Sequence, residues 1–350
     1  MPETERRIDA DVHCPAPNAD ALGPYLAEHW RAYLAENGFK QPSSVGYSYP
    51  AGSAVMAGAP ATMTVETVRE HVLDRSAYAV LNCFYGSEGI RHPYLAAALT
   101  TAVNRWLQEQ WLDREPRLVG SLVIPAQDTE ASVAEIKRAA KSGRFAQVLL
   151  PARAWEPYGN HRYWPIWDAA VEHGLALGIQ FGGLTGNPAT SVGSPETYFE
   201  EYTATPQLFA AHVMSLIVEG VFDRWPDLRV SLVESGVSWL PTWMWKLDTD
   251  WRSSRREIPW VRESPSHYVR RHFRLTTQPF DGPASTIPDI LEQLGSDDVL
   301  MYSSDYPHRH GSSSDALLPL LSPAQRAKVL FGNAWDFYAL GDRVRGAAVV

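Results

Sequence analysis

The sequence predicts a parallel (β/α)8 barrel of the TIM type, and three observations carry that prediction. Short apolar or β-branched runs alternate with longer helical patterns along the whole chain, as repeated βα units around a parallel sheet do. Ligand-type residues fall at the ends of these runs rather than in their middles. The first run, Ile8-Asp9-Ala10-Asp11-Val12-His13, and the last, Val299 to Asp305, both bring an acid and an imidazole to one end. First and last strands are neighbours only in a closed sheet, and a closed parallel barrel gathers all its strand ends on one rim. The 350 residues suit one barrel with insertions better than two ordinary domains, so residues 1–350 are read as a single domain.

Taken in order, strand one is Ile8 to His13, where a period of two puts Asp11 and His13 on one side. A long insertion follows. Its stretch Asn37 to Thr64 is rich in Gly, Ala, Ser, Pro and Tyr. Residues 38–64 are read as a rim loop, either a lid or a disordered insertion. Strands two to eight are expected from Tyr78 to Phe84, Leu118 to Pro125, Phe145 to Pro151, Leu175 to Gly182, Leu228 to Ser235, Phe273 to Gln278 and Val299 to Asp305. The helices between them are expected at Pro93 to Leu112, Thr129 to Ala140, Tyr163 to His173, Gln207 to Phe222, Trp239 to Arg256, Ile287 to Leu294 and Pro323 to Leu340. Asp128 stands as an N-cap, Gly174 and Gly295 sit just past helix ends, and Pro226 separates a helix from strand six. Trp239, Trp243, Trp245, Trp251 and Trp260 make a dense cluster that reads first as packing and second as a substrate wall.

Composition narrows the function. A net charge of −9 argues against a nucleic-acid or anionic-membrane partner, which requires a basic face. No apolar run approaches the ~20 residues of a membrane span, and the opening Met1-Pro2-Glu3-Thr4-Glu5 lacks an apolar signal region, so a cytoplasmic location is expected. Two cysteines are too few for a disulfide scaffold, and Cys14 reads as a small buried apolar residue rather than a ligand.

The rim residues point to a metal. Asp11 and His13 end strand one, Gln180 ends strand five, Glu234 strand six and Asp305 strand eight, with His308 three residues further on. A carboxylate inside an apolar strand costs too much unless a cation or donor compensates it. The competing reading of Glu234 or Asp305 is an N-cap of the following helix. His212, near the start of the helix after strand five, is a candidate ligand or a core histidine satisfied by backbone. His308 is a ligand or proton carrier, whereas Gln180 and His310 are ligands of second rank or donors behind the ligands. The expected metal set is therefore Asp11, His13, His212, Glu234, Asp305 and His308, enough for two ions bridged by a carboxylate. Carboxylates and imidazoles without a thiolate suit iron, manganese or catalytic zinc. Arg256, Arg270 and Arg271 are candidates to meet a substrate carboxylate or phosphate.

The opening Ile8 to His13, the run Gly220-Val221-Phe222-Asp223-Arg224-Trp225-Pro226-Asp227-Leu228, Ser304-Asp305-Tyr306-Pro307-His308, and Gly332-Asn333-Ala334 together resemble the amidohydrolase-2 family. The resemblance implies an amidohydrolase-like TIM barrel and either metal-dependent decarboxylation or hydrolysis. Two positions depart from the decarboxylase pattern: Gln180 and Glu234 stand where those enzymes place histidine. Glu234 to Pro241 and Tyr268 to Pro279 instead resemble a bacterial branch that includes nonheme diiron monooxygenases, of the terpenoid-hydroxylase type of platensimycin and platencin biosynthesis. That branch implies two irons per chain, dioxygen, an external electron donor, and hydroxylation of an aliphatic carbon of a bulky, mainly apolar acid or CoA thioester. The other implication is a mononuclear zinc or manganese hydrolase or decarboxylase. A barrel that only binds ligand is a third reading. A small-molecule substrate is expected in each case, and a homo-oligomer is compatible with them all.

Overall fold

A computed structural model describes residues 6–39, 42, 63–183, 187, 190–308, 310–311 and 313–347. Eight strands form one parallel sheet in sequence order: β1 (Ile8–His13), β2 (Tyr78–Asn82), β3 (Leu118–Val123), β4 (Phe145–Arg153), β5 (Ala176–Gly183), β6 (Val230–Val233), β7 (Phe273–Thr276) and β8 (Leu300–Met301). The sheet closes. Beyond the short β8 the chain stays on β1, through Ala10 N–H to Tyr302 O (2.9 Å), Asp305 N–H to Asp11 O (3.1 Å) and His13 N–H to Tyr306 O (2.8 Å). These contacts place Asp305 opposite Asp11, which the closed barrel requires.

The barrel interior is layered. At its lower end Ile8, Ala10, Val80, Val119 and Met301 pack under the C-terminal Phe337, Tyr338 and Leu340. Higher up the interior turns polar, with Asn82, Ser121, Gln147 and Ser231 all fully buried. Outside, the strands' other faces meet the helices in the main apolar core.

Several element boundaries differ from the sequence expectation, each for a local reason. The helix expected from Gln207 starts at Tyr198, because Thr197 and Glu200 form a capping box and Pro206 is carried inside the helix. It stops at Val218, and a separate turn Val221–Arg224 follows Gly220, whose φ of 74° breaks the helix. The helix expected from Pro323 to Leu340 is instead Pro323–Ala327, a wide turn Lys328–Gly332, and Asn333–Phe337. The helix Pro265–His272 was not expected: its polar, arginine-rich sequence shows no long apolar stripe. The insertion after β1 is present and holds the helices Ala19–Leu22 and Glu28–Glu36, then Val65–Val68 before β2. The lid reading of residues 38–64 falls almost wholly outside the described residues. Among those described, no helix is long and apolar enough to cross a membrane.

Trp239, Trp243 and Trp251 pack against the core and donate their indole N–H groups to the carbonyls of Ser235, Ala210 and Val261. Trp245 and Trp260 are half exposed, Trp260 donating to Val218 O. The arginines expected at the substrate lie elsewhere. Arg270 and Arg271 immediately precede β7, and Arg256 follows the end of Leu240–Ser254, so all three sit toward the end of the barrel opposite the rim.

Candidate metal centre

The strand ends bring four ligand-type side chains into mutual contact. His13 Nε2 lies 2.7 Å from Asp305 Oδ1, 3.4 Å from Asp11 Oδ1 and 3.5 Å from Glu234 Oε1. Gln180 Nε2 is 3.2 Å from the same nitrogen and donates to Glu234 Oε1 at 2.8 Å. Asp305 also faces the loop after β8: Oδ1 is 2.9 Å from His308 Nδ1, and Oδ2 meets His310 Nε2 in a short contact. Two overlapping groups can therefore hold an ion, Asp11–His13–Glu234–Asp305 and His13–Asp305–His308, with His13 and Asp305 common to both.

Backbone geometry aims these groups. β1 carries one extra residue against β2 between Asp9 and Val12, and Asp11 still shares a side with His13. Glu234 and Asp305 have φ of 61° and 55°; among the described residues the only other non-glycine in this left-handed region is Ala339. Such conformations cost roughly 1–3 kcal/mol and cluster where function demands a side chain's direction. Here they turn two carboxylates inward across the barrel mouth.

The electrostatics are those of a site built for a cation. Burial pushes the Asp11 carboxyl up to about 6, against the pull of His13. Burial would also raise Asp305, but His13, His308 and His310 hold it well below the usual carboxylate range. His13 is lifted well above its ordinary value by Asp11 and Asp305, against the opposing effect of burial. Asp11 Oδ2 and Gln180 Oε1 are buried without a hydrogen-bond partner. Three carboxylates around one imidazole, with two orphaned oxygens, fit a divalent ion.

His212 is not brought to this cluster. Its Nε2 donates to Ala152 O at 2.7 Å, its Nδ1 accepts the Tyr158 N–H at 3.3 Å, and its ring stacks on Tyr158. Burial holds it neutral, with its pKa down at about 4. A depressed histidine contributes stability that is fully present above its unfolded pKa, ~6.5, and lost as pH falls toward about 4. His212→Phe should remove that acid-side loss from the thermal midpoint, cost roughly 1–3 kcal/mol by orphaning backbone groups, and leave metal content unchanged. Metal loss in a folded His212→Phe protein would return it to the ligand set.

Two contacts were not expected from sequence. Asn82, ending β2, donates to Asp11 Oδ1 at 2.7 Å; its place at a strand end is the same signal that marked Gln180. Tyr202 Oη is 3.3 Å from His310 Nδ1, and it lies on the half-helix preceding Gln207. A cavity of ≈ 680 Å³ opens onto Glu234, Tyr202 and His310, between Pro206, Phe280 and Pro283. A second, of ≈ 340 Å³, reaches His308 and His310 from the side of Arg7 and His71.

The amidohydrolase family matches residues 8–340, nearly the whole chain. The chain belongs to the amidohydrolase family. Among curated proteins it is similar to the gamma-resorcylate decarboxylase of Polaromonas sp. (strain JS666 / ATCC BAA-500), 27% identical over 258 residues that span 68% of this chain and 75% of that protein. The gamma-resorcylate decarboxylase of Rhodococcus jostii (strain RHA1) is 26% identical over 264 residues, 70% of this chain and 78% of that one. Among solved structures, the 5-carboxyvanillate decarboxylase of Novosphingobium aromaticivorans DSM 12444, with bound manganese and 3-methoxy-4-hydroxy-5-nitrobenzoic acid, superposes with a TM-score of 0.70. Its identity is 19%, over 97% of this chain and 99% of that chain. An amidohydrolase from Mycobacterium avium subsp. paratuberculosis K-10 gives 0.72 at 17% identity, over 95% and 97%. The amidohydrolase expectation from the sequence therefore holds.

Proposed function

We propose that the chain is a metal-dependent enzyme that cleaves a bond at the carboxyl or acyl carbon of an organic acid, as a decarboxylase or hydrolase. The observation that carries this is the convergence of Asp11, Glu234 and Asp305 on His13 Nε2 at the barrel mouth. The decarboxylase names of the curated relatives support the choice of reaction. Asp11, His13, Glu234 and Asp305 would hold the ion, and Gln180 would orient Glu234 through its amide N–H. The oxygen-rich donors favour manganese or iron over a structural zinc. Bound there, a divalent ion supplies Lewis-acid polarisation of a substrate oxygen. His310, held between Asp305 Oδ2 and Tyr202 Oη, carries a proton beside the larger cavity, and His308 carries another on Asp305 Oδ1. In a decarboxylation one such proton replaces the departing carbon dioxide on the substrate carbon.

A second reading has an observation of its own. The donors outnumber what one ion needs, and Asp305 turns its two oxygens toward different imidazoles, as a carboxylate between two ions would. With Gln180 and Glu234 in place of the decarboxylases' histidines, that supports a diiron centre. The ≈ 680 Å³ cavity would then take a bulky, mainly apolar acid or CoA-linked substrate for hydroxylation by dioxygen, with electrons from an external donor. Metal analysis after anaerobic reconstitution separates the readings: one ion per chain favours the first and two irons the second. In either case Glu234→Ala should lose metal while keeping its thermal midpoint within a few degrees. Full occupancy in that variant would remove Glu234 from the ligands.

A further inference from the structure

Beneath the rim, four fully buried polar side chains cross the barrel interior. Ser231 Oγ on β6 donates to Gln147 Oε1 on β4 at 2.7 Å, and Gln147 Nε2 donates to Ser121 Oγ on β3 at 2.9 Å. Ser121 Oγ donates in turn to Asn82 Oδ1 on β2, and Asn82 Nδ2 donates to Asp11 Oδ1 at 2.7 Å. The direction is forced from one end. An ionised Asp11 only accepts, so Asn82 must present its amide N–H; its oxygen is then left for the Ser121 hydroxyl, which must receive the Gln147 N–H. Reversing any link sets two acceptors or two donors face to face.

The fold makes room for this chain. The register of β3 on β4 slips by one residue, pairing Gly120 with Phe145 but Ser121 with Gln147, so Ala146 and Gln147 both belong to the interior. On β5, a Cβ at Gly178 would lie 2.6 Å from the Gln147 carboxamide. An apolar residue at 147 would fill the same volume with no polar atom to satisfy, so the retained polar chain needs a reason. Its end supplies one: the chain terminates on Asp11 Oδ1, the oxygen that also lies 3.4 Å from His13 Nε2 in the site, and leaves Asp11 Oδ2 buried without a partner.

We infer that Asn82, Ser121, Gln147 and Ser231 are positioning residues, a one-way hydrogen-bond chain that fixes Asp11 as a metal ligand and sets the affinity for the ion. The inference rests on Asp11 being a ligand, as proposed above. Aligned donors polarise one another, so each link strengthens the next and the benefit arrives at the Asp11 carboxylate. Partners behind a metal ligand typically carry 10–100-fold in affinity.

The test is manganese binding by calorimetric titration of the full chain, with the thermal midpoint of each metal-free variant as the measure of folding. Ser121→Ala and Gln147→Met should each weaken manganese by roughly tenfold. Because Ser121 and Gln147 both reach Asp11 only through Asn82 Oδ1, the losses in the double variant should fall short of additive, which independent packing defects would not produce. Ser231→Ala, the mildest change and the one to use if Gln147→Met does not fold, should weaken binding about threefold by the same polarisation argument. Unchanged affinity in folded Ser121→Ala, or fully additive losses in the double variant, overturns the chain. Asp11→Asn distinguishes the two levels: if it binds manganese like the parent, the ligand reading fails and the inference with it. If Asp11→Asn loses manganese while the chain variants keep it, the inference alone fails.

Discussion

Asp305→Asn should fold as the parent does and lose metal affinity by at least about 100-fold, the upper end of what a partner merely behind a ligand is worth. The substitution is chosen for its backbone. Asp305 has a φ of 55°, a left-handed conformation that asparagine tolerates better than almost any other side chain with a Cβ. The tie from its N–H to Asp11 O is also kept. What changes is charge: Asp305 is the anion shared by His13, His308 and His310, and an amide cannot accept from all three. Asp305→Ala removes the same charge but keeps the strained backbone, so its thermal midpoint should fall below that of Asp305→Asn while metal loss is similar. Metal analysis and a thermal scan on the two variants decide this. Retained metal in Asp305→Asn would take Asp305 out of the centre, and the two-ion reading with it.

The barrel and its rim were legible in the sequence because both rest on local patterns. Alternating apolar runs mark strands, and a polar residue at the end of a run lies on the rim wherever the sheet is parallel. Asp11, His13, Gln180, Glu234 and Asp305 all followed from that rule. His212 misled because a histidine one helical turn above or below the rim has the same sequence neighbourhood; only the positions of the Ala152 carbonyl and the Tyr158 amide show that both ring nitrogens are used. Tyr202 was missed because the helix was expected only from Gln207, whereas it starts at Tyr198 and carries Pro206 inside it. The polar chain from Ser231 to Asp11 links residues up to 84 positions apart pair by pair, and no periodicity announces such a contact. Arg270 and Arg271 failed for a topological reason: a cation just before a strand is at the wrong end of a parallel barrel, and Arg256 shares that end because it follows the helix that leads away from the rim.

Removal of oxygen should leave turnover unchanged within about twofold if the chain acts on a carboxyl or acyl carbon, because a reaction that uses the ion as a Lewis acid is redox-neutral. In a decarboxylation the carboxylate leaves as carbon dioxide and one proton takes its place, so no electron donor enters the balance. Hydroxylation is different at every point of the ledger: one atom of dioxygen enters the product, the other leaves as water, and two electrons and two protons must be supplied. The protein's own groups fit the first balance, with His310 set between Asp305 and Tyr202 beside the cavity. They also leave the second open through the spare donors at Asp305. The measurement is a pair of reactions on the reconstituted protein with a panel of aromatic and alicyclic acids and their thioesters, one in air and one anaerobic, following oxygen uptake, carbon dioxide release and product mass. Equal rates with carbon dioxide released and no oxygen consumed support the decarboxylase. Turnover that stops without oxygen and yields a product labelled from dioxygen would overturn that reading, and Asp305, common to both ligand groups, would then be among the residues holding two irons.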